Sequence, residues 1–122
     1  MAPSYHVIIA DDDAGVRAVI VRLVARTYPT ALITDVGDGQ AALHILEQQT
    51  ADLLITNNDM PYLGGLALIR HLRMRQISIP IVMVSALPTN PQDAFAAGAT
   101  AFVQKPFTLT ELIQTLTKLL PP

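Results

Sequence analysis

The chain has 122 residues, enough for one domain with one sizeable hydrophobic core and too few for two. Hydrophobic residues make up 51% of it and charged residues 15%, a composition that excludes an intrinsically disordered segment. The formal charge of −2 gives no electrostatic reason to expect nucleic acid or an anionic membrane as a partner, and the lack of cysteine excludes disulfides, zinc–thiolate sites and thiol catalysis.

Short apolar runs alternate with longer stretches of helical spacing, and this alternation occurs five times along the chain. Most of the short runs are continuously apolar, which is the pattern of strands that are covered on both faces. The predicted strands are Tyr5–Ala10, Ala31–Val36, Asp52–Asn57, Ile81–Ser85 and Ala101–Gln104.

The stretch after each strand predicts a helix, and several carry start signals. Asp13 is placed to cap the first helix, Asn90 precedes a proline at a first helical position, and Thr108 with Glu111 forms a capping box. The predicted helices run over residues 14 to about 27, 39–49, 65 to about 76, 91–98 and 109–120.

Five consecutive strand-then-helix units predict an α/β fold: a five-stranded parallel sheet with right-handed crossovers and helices on both faces. In such sheets, binding sites form where loops leave the carboxyl ends of the strands, at a switch point in the strand order. The polar residues at those positions are Asp11, Asp12 and Asp13; Asp38; Asn57, Asn58 and Asp59; Ser85; and Lys105.

Three consecutive carboxylates follow the first predicted strand. Asp13 is best interpreted as a helix N-cap. For Asp11 and Asp12 a metal pocket is the stronger interpretation, because crowded like charges repel unless a cation lies among them. Mg²⁺ favours one or two carboxylates together with several retained waters.

Four motifs in this order and spacing resemble the receiver domain of two-component response regulators, whose fold is flavodoxin-like or CheY-like. A single acidic pair or a single lysine–proline turn would be weak evidence, but the four motifs together span nearly the whole chain. They are Val7-Ile-Ile-Ala-Asp11-Asp12-Asp13; Asp52-Leu-Leu-Ile-Thr-Asn57-Asn-Asp-Met60-Pro61 with Gly64-Gly65; Val82-Met-Val-Ser85-Ala86; and Ala97-Gly98-Ala99 with Phe102-Val-Gln-Lys105-Pro106-Phe107.

The resemblance implies a set of roles for these residues. In that family the acidic pair binds Mg²⁺, and an aspartate that ends the third strand accepts a phosphoryl group from a histidine kinase. By motif, the metal residues are Asp11 and Asp12, with Asp59 contributing through its backbone carbonyl. The remaining positions are Ser85 and Lys105 for the phosphoryl oxygens, Phe102 for the switch aromatic, and Asn57 for the phosphoacceptor position.

Asparagine at position 57 changes what the pocket can do. A phosphoacceptor must be an anionic nucleophile, and an amide is uncharged with its nitrogen lone pair delocalised into the carbonyl. We therefore expect no stable acyl phosphate on Asn57, and Mg²⁺ binding that is possible but weakened. Lys105 loses its carboxylate partner at this position and is expected to turn to Asp11, Asp12 or the amide oxygen. Asp59 is a poor substitute acceptor, since Asp59-Met-Pro begins a loop.

The sequence leaves three hypotheses. The first is a receiver-like, non-enzymatic signalling domain of a phosphorelay system that acts by protein–protein contact without phosphorylation at Asn57. The second is an ordinary phosphorylatable regulator whose acceptor aspartate was changed to Asn57. The third is a small Mg²⁺-dependent phosphoryl-transfer enzyme that uses Asp11 and Asp12, for which the sequence offers no good nucleophile.

The expected partners follow from the first hypothesis: a histidine kinase or another signalling protein, or an output domain, and a second copy of this chain in a homodimer. The fourth and fifth helices are poor in charge, which is consistent either with a docking surface or with a surface that is simply weakly polar. The N-terminus lacks a secretory signal and no apolar run approaches the ~20 residues of a membrane span, so we expect a cytoplasmic protein with one domain over residues 1–122.

Overall fold

The computed structural model describes residues 4–122 as one alternating series of strands and helices. The strands are β1 (His6–Ala10), β2 (Leu32–Val36), β3 (Leu53–Thr56), β4 (Ile81–Ser85) and β5 (Ala101–Gln104). The helices are α1 (Ala14–Thr27), α2 (Gly39–Gln48), α3 (Gly65–Met74), α4 (Pro91–Ala97) and α5 (Leu109–Leu119). The absence of a secretory signal was predicted partly from residues 1–3, which lie outside the described residues. Within residues 4–122, no helix is long and apolar enough to cross a membrane.

All five strands pair in parallel in one sheet with the order β2-β1-β3-β4-β5, so the predicted α/β fold is confirmed. The chain leaves β1 for one edge of the sheet, at β2, and then returns across β1 to form β3 on its other side. The connections therefore reverse direction between β1 and β3, and the crevice at the carboxyl ends of these two strands is the switch point.

The helices cover both faces of the sheet, which explains why β3 and β4 are buried along their whole length. Alternate residues of β1 point to opposite sides, Val7 and Ile9 into one core and Ile8 and Ala10 into the other. Helices α1 and α5 supply the first core, and helices α2, α3 and α4 supply the second. Strand β2 lies at an edge and is only partly buried.

The predicted helix starts agree with the observed caps. The Asp13 carboxylate accepts hydrogen bonds from the backbone N–H groups of Gly15 and Val16, 2.9 and 3.1 Å away. Asn90 caps α4 ahead of Pro91, and Thr108 accepts a hydrogen bond from the Glu111 N–H at 3.1 Å. These caps satisfy backbone donors that a helix leaves without partners in its first turn.

Candidate functional site

The polar residues that follow β1, β3, β4 and β5 converge at the switch point. Asp11 directly follows β1, and Asn57 directly follows β3. The backbone N–H of Asn57 donates to the Ala10 carbonyl at 2.9 Å. We use the term acidic pocket for Asp11, Asp12, Asn57, Asp59 and Lys105. Together with the β4–α4 loop, most of these residues line an open cleft of about 610 Å³.

Asp11 and Lys105 form a buried ion pair at the base of the acidic pocket. The Lys105 ammonium donates to Asp11 Oδ2 at 2.9 Å, and the side chains are 17% and 1% exposed, respectively. The other carboxylate oxygen of Asp11 accepts from the Asp13 N–H at 2.9 Å. The sequence left Asp11, Asp12 and the Asn57 amide oxygen as possible partners for Lys105, and in the structure its partner is Asp11.

Asn57 connects the other two acidic-pocket residues. Its side-chain amide nitrogen donates to Asp12 Oδ1 at 3.2 Å and to the Asp59 backbone carbonyl at 3.1 Å. Both neighbours are acceptors only, so the nitrogen and not the oxygen must face them. The amide nitrogen, and not the amide oxygen, therefore lies on the side of Asn57 that faces Asp12 and the Asp59 carbonyl.

Ser85 ends β4 and is buried, and its hydroxyl lies 2.9 Å from the hydroxyl of Thr89 in the β4–α4 loop. The Asn58 amide donates to the same Thr89 oxygen at 3.3 Å, while Asn58 Oδ1 accepts from the Leu66 N–H at 3.0 Å. These bonds join the loop after β4 to the start of α3. Thr89 was not predicted from the sequence, since nothing in its local pattern distinguishes it from an ordinary loop threonine.

Phe102 lies on β5, next to Met83 of β4 in the strand register. Its ring is partly buried against the core formed by α2, α3 and α4. A switch role for Phe102 remains a prediction, because one conformation of the ring does not define a second.

The resemblance implies Mg²⁺, and the fit of that ion depends on which oxygen atoms are available. Both carboxylate oxygens of Asp11 accept hydrogen bonds, and the Asn57 amide is bonded to Asp12 Oδ1 and to the Asp59 carbonyl. Within residues 4–122, no group of three or more His, Cys, Asp or Glu side chains is placed to hold a metal ion. As folded, the acidic pocket does not fit a divalent cation unless the amide is displaced.

Comparison with known proteins identifies the family. The sequence matches the response regulator receiver domain over residues 7–117. It is 31% identical over 112 residues to a protein-glutamate methylesterase/protein-glutamine glutaminase of Rhodospirillum centenum, covering 88% of this chain and 28% of that protein. It is 28% identical over 114 residues to the regulatory protein VirG of Agrobacterium tumefaciens, covering 91% of this chain and 42% of VirG. The chain thus spans less than half the length of these relatives.

Solved structures show the same fold. The chemotaxis response regulator CheY4 of Vibrio cholerae superposes with a TM-score of 0.86 at 26% identity, over 97% of this chain and 100% of that one. The receiver domain of a Francisella response regulator gives a TM-score of 0.81 at 28% identity, over 95% and 96%. A receiver domain from a sensor histidine kinase of Pseudomonas aeruginosa, solved with magnesium in its active-site cleft, gives 0.85 at 23% identity, over 96% and 98%. The chain belongs to the receiver domain family of two-component response regulators.

Proposed function

We propose that this receiver domain signals through contact with a protein partner and does not accept a phosphoryl group at residue 57. The observation that supports the proposal is the Asn57 amide, whose nitrogen donates to Asp12 and to the Asp59 carbonyl. Phosphoryl transfer to this position requires an anionic oxygen free to attack in line. The side chain here is uncharged and has a donor group turned towards the carboxylate.

Asp59 is the other candidate acceptor in the acidic pocket. Its side chain is exposed, and the loop continues directly into Met60 and Pro61. The backbone carbonyl of Asp59, and not its carboxylate, is the atom that faces Asn57, at 3.1 Å. This arrangement favours a positioning role for Asp59 through its backbone and not an acceptor role.

The partners that this function requires are proteins: a histidine kinase or another signalling protein, an output domain, or a second copy of the chain. Helix α4 supports a contact role, because Asp93 is its only charged residue and Phe95 is 50% exposed. Leu87, in the loop before α4, is 72% exposed. Arg73 of α3 donates to backbone carbonyls, and Arg75, which follows α3, pairs with Glu47 at 2.7 Å. With a formal charge of −2 in addition, this domain is not expected to bind nucleic acid.

The proposal also includes the absence of catalysis by this domain, a cytoplasmic location and one domain over residues 1–122. Ser85, the buried hydroxyl residue of the cleft, has Thr89 and not a histidine at hydrogen-bonding distance, so it lacks the base that a nucleophilic serine needs. Any Mg²⁺ binding is expected to be weak, since the ion must compete with the Asn57 amide.

The test is the intact mass of the protein after incubation with Mg²⁺ and a small-molecule phosphodonor, for the native chain and for Asn57→Asp. We expect only Asn57→Asp to gain the mass of one phosphoryl group, because only that variant offers a carboxylate at residue 57. The double variant Asn57→Asp, Lys105→Met is the matched control, since it keeps the acceptor and loses the cation of the acidic pocket.

A phosphoryl adduct on the native chain would contradict the proposal. Peptide mapping of such an adduct, together with the single variant Asp59→Asn, would then show whether Asp59 is the acceptor. An unmodified Asn57→Asp would show that Asn57 is not the sole cause, because the pocket would then lack more than its acceptor.

A further inference from the structure

We propose that the Asn57 amide takes the place of a divalent cation and holds the acidic pocket in one arrangement that does not depend on metal. The inference rests on the proposed function, since it explains how a pocket without phosphoryl chemistry keeps a fixed shape for partner contact. It concerns a different property, the dependence of folding stability on Mg²⁺.

The geometry of Asn57 carries the first step. A primary amide has two N–H donors, and the structure gives the Asn57 nitrogen two acceptors, Asp12 Oδ1 at 3.2 Å and the Asp59 carbonyl at 3.1 Å. Asn57 is only 8% exposed, so these donors have little access to water. The amide thus bridges the Asp12 carboxylate and the Asp59 carbonyl through two hydrogen bonds.

The charges of the acidic pocket carry the second step. Lys105 already neutralises Asp11 at 2.9 Å, which leaves Asp12 as the one unpaired carboxylate facing Asn57. Asp12 lies on the exposed rim, where water screens its charge. A neutral donor is therefore sufficient to hold it. With aspartate at position 57, Asp12 would face a second carboxylate, and the single ammonium of Lys105 could not balance all three.

Competition for the same atoms carries the third step. A cation that approaches Asp12 Oδ1 and the Asp59 carbonyl meets the N–H groups of Asn57 instead of a lone pair. To bind there, it must break both hydrogen bonds and rotate the amide so that the oxygen replaces the nitrogen. Breaking the hydrogen bonds of a buried group costs free energy. Binding of Mg²⁺ therefore adds little net stability to the native chain.

The experiment is thermal unfolding of the native chain, Asn57→Asp and Asn57→Ala during Mg²⁺ titration, with the ionic strength held constant by NaCl. We expect the native Tm to stay constant. Asn57→Asp should unfold at a Tm lower by about 4 °C or more without Mg²⁺ and regain this difference saturably as the ion is added. Asn57→Ala should lose a comparable amount, because it lacks the donor, and should regain less.

Asn58→Asp is the matched control for an added negative charge. It introduces the same carboxylate one residue later, where the side chain faces Thr89 and the start of α3 and not the acidic pocket. Its Tm should show no saturable response to Mg²⁺. A response equal to that of Asn57→Asp would assign the effect to general charge screening and overturn the inference.

Two further outcomes would overturn the inference: a saturable rise in the native Tm equal to that of Asn57→Asp, or an Asn57→Asp protein that is as stable as the native chain without Mg²⁺. Failure of the proposed function is distinguishable, because it appears as a phosphoryl adduct on the native chain whatever the Tm values are. If the native Tm stays constant and the native chain also gains a phosphoryl adduct, the proposed role of the Asn57 amide stands and phosphorylation-independent signalling is rejected.

Discussion

Asp11 and Lys105 form the ion pair whose loss has the most predictable cost. The Asp11 side chain is 1% exposed and Lys105 is 17% exposed, so removing either group leaves the other in a poorly solvated place. A buried charge without a partner is strongly destabilising. The consequence is asymmetric, since the long lysine side chain can move to water while the short, fixed carboxylate cannot.

We expect Lys105→Met to lower the free energy of unfolding by roughly 3 kcal/mol, because it leaves the Asp11 carboxylate buried without a cation. Asp11→Asn should cost clearly less, since Lys105 can turn to Asp12 or to solvent. Urea unfolding of both variants measures the difference. Equal losses would show that the lysine is as confined as the aspartate.

At the residue scale, the sequence predicted which side chains meet but not how they are bonded. The motifs predicted that Asp11, Asp12, Asn57 and Lys105 lie together at the switch point, and the structure brings them together. The direction of the Asn57 amide was not predictable, because it depends on the Asp59 carbonyl. The position of a backbone carbonyl follows from the loop conformation and not from a residue type.

Helix α3 begins so close to the end of β3 that its first residue can only be small. A Cβ added at Gly65 would lie 2.1 Å from the Asn57 carbonyl oxygen and 2.9 Å from the Met83 methyl group. The Gly65 N–H also donates to the Asn58 carbonyl at 2.8 Å, so the helix cannot withdraw without losing this bond. Gly65 thus fixes the distance between α3 and the acidic pocket.

Gly65→Ala should therefore destabilise the fold by about 2 kcal/mol, as expected when an added group forces backbone to shift. Gly37→Ala is the control, because a Cβ there would have only an ordinary contact of 3.6 Å with Arg17. Chemical unfolding of both variants tests this. If Gly65→Ala were as stable as Gly37→Ala, α3 would be free to move relative to β3.

At the element scale, the sequence predicted every helix and strand to within about two residues, but it did not predict the contacts of Arg73. The guanidinium of Arg73 donates to the carbonyls of Gly98, Ile77 and Ile79 at 2.8 to 3.0 Å. The contact with Gly98 joins α3 to the end of α4, and the other two join α3 to the loop before β4. Hydrophobic spacing cannot reveal these contacts, because they depend on how the helix, the loop and the neighbouring helix are placed in space.

For the whole molecule, the sheet separates two cores that the sequence pattern already indicated. Continuously apolar strands predicted a sheet covered on both sides, and both covers are present. The sequence did not indicate which contact holds the end of α5 against the rest of the protein. Its last turn is held by Tyr28, which follows α1 and donates its buried hydroxyl to the Leu120 carbonyl at 2.6 Å.

Tyr28 makes the folding stability of the molecule depend on pH in the alkaline range. Burial, and to a lesser extent the neighbouring Tyr5, raise the pKa of Tyr28 to about 12. The unfolded chain titrates this group near pH 10, so between the two values the folded state holds more protons than the unfolded state. The contribution of Tyr28 is therefore complete below pH 10 and is lost as the pH rises towards 12, by on the order of 2 kcal/mol.

Tyr28→Phe tests this linkage. At neutral pH the variant should be less stable by about 1 kcal/mol, because the Leu120 carbonyl loses its donor. Between pH 10 and 12 its stability should fall less steeply than that of the native chain, so that the two curves converge and then cross. The difference between the two proteins at each pH reports the contribution of the Tyr28 hydroxyl. Urea unfolding at a series of pH values measures that difference, and parallel curves would mean that the Tyr28 hydroxyl titrates alike in the folded and unfolded chains.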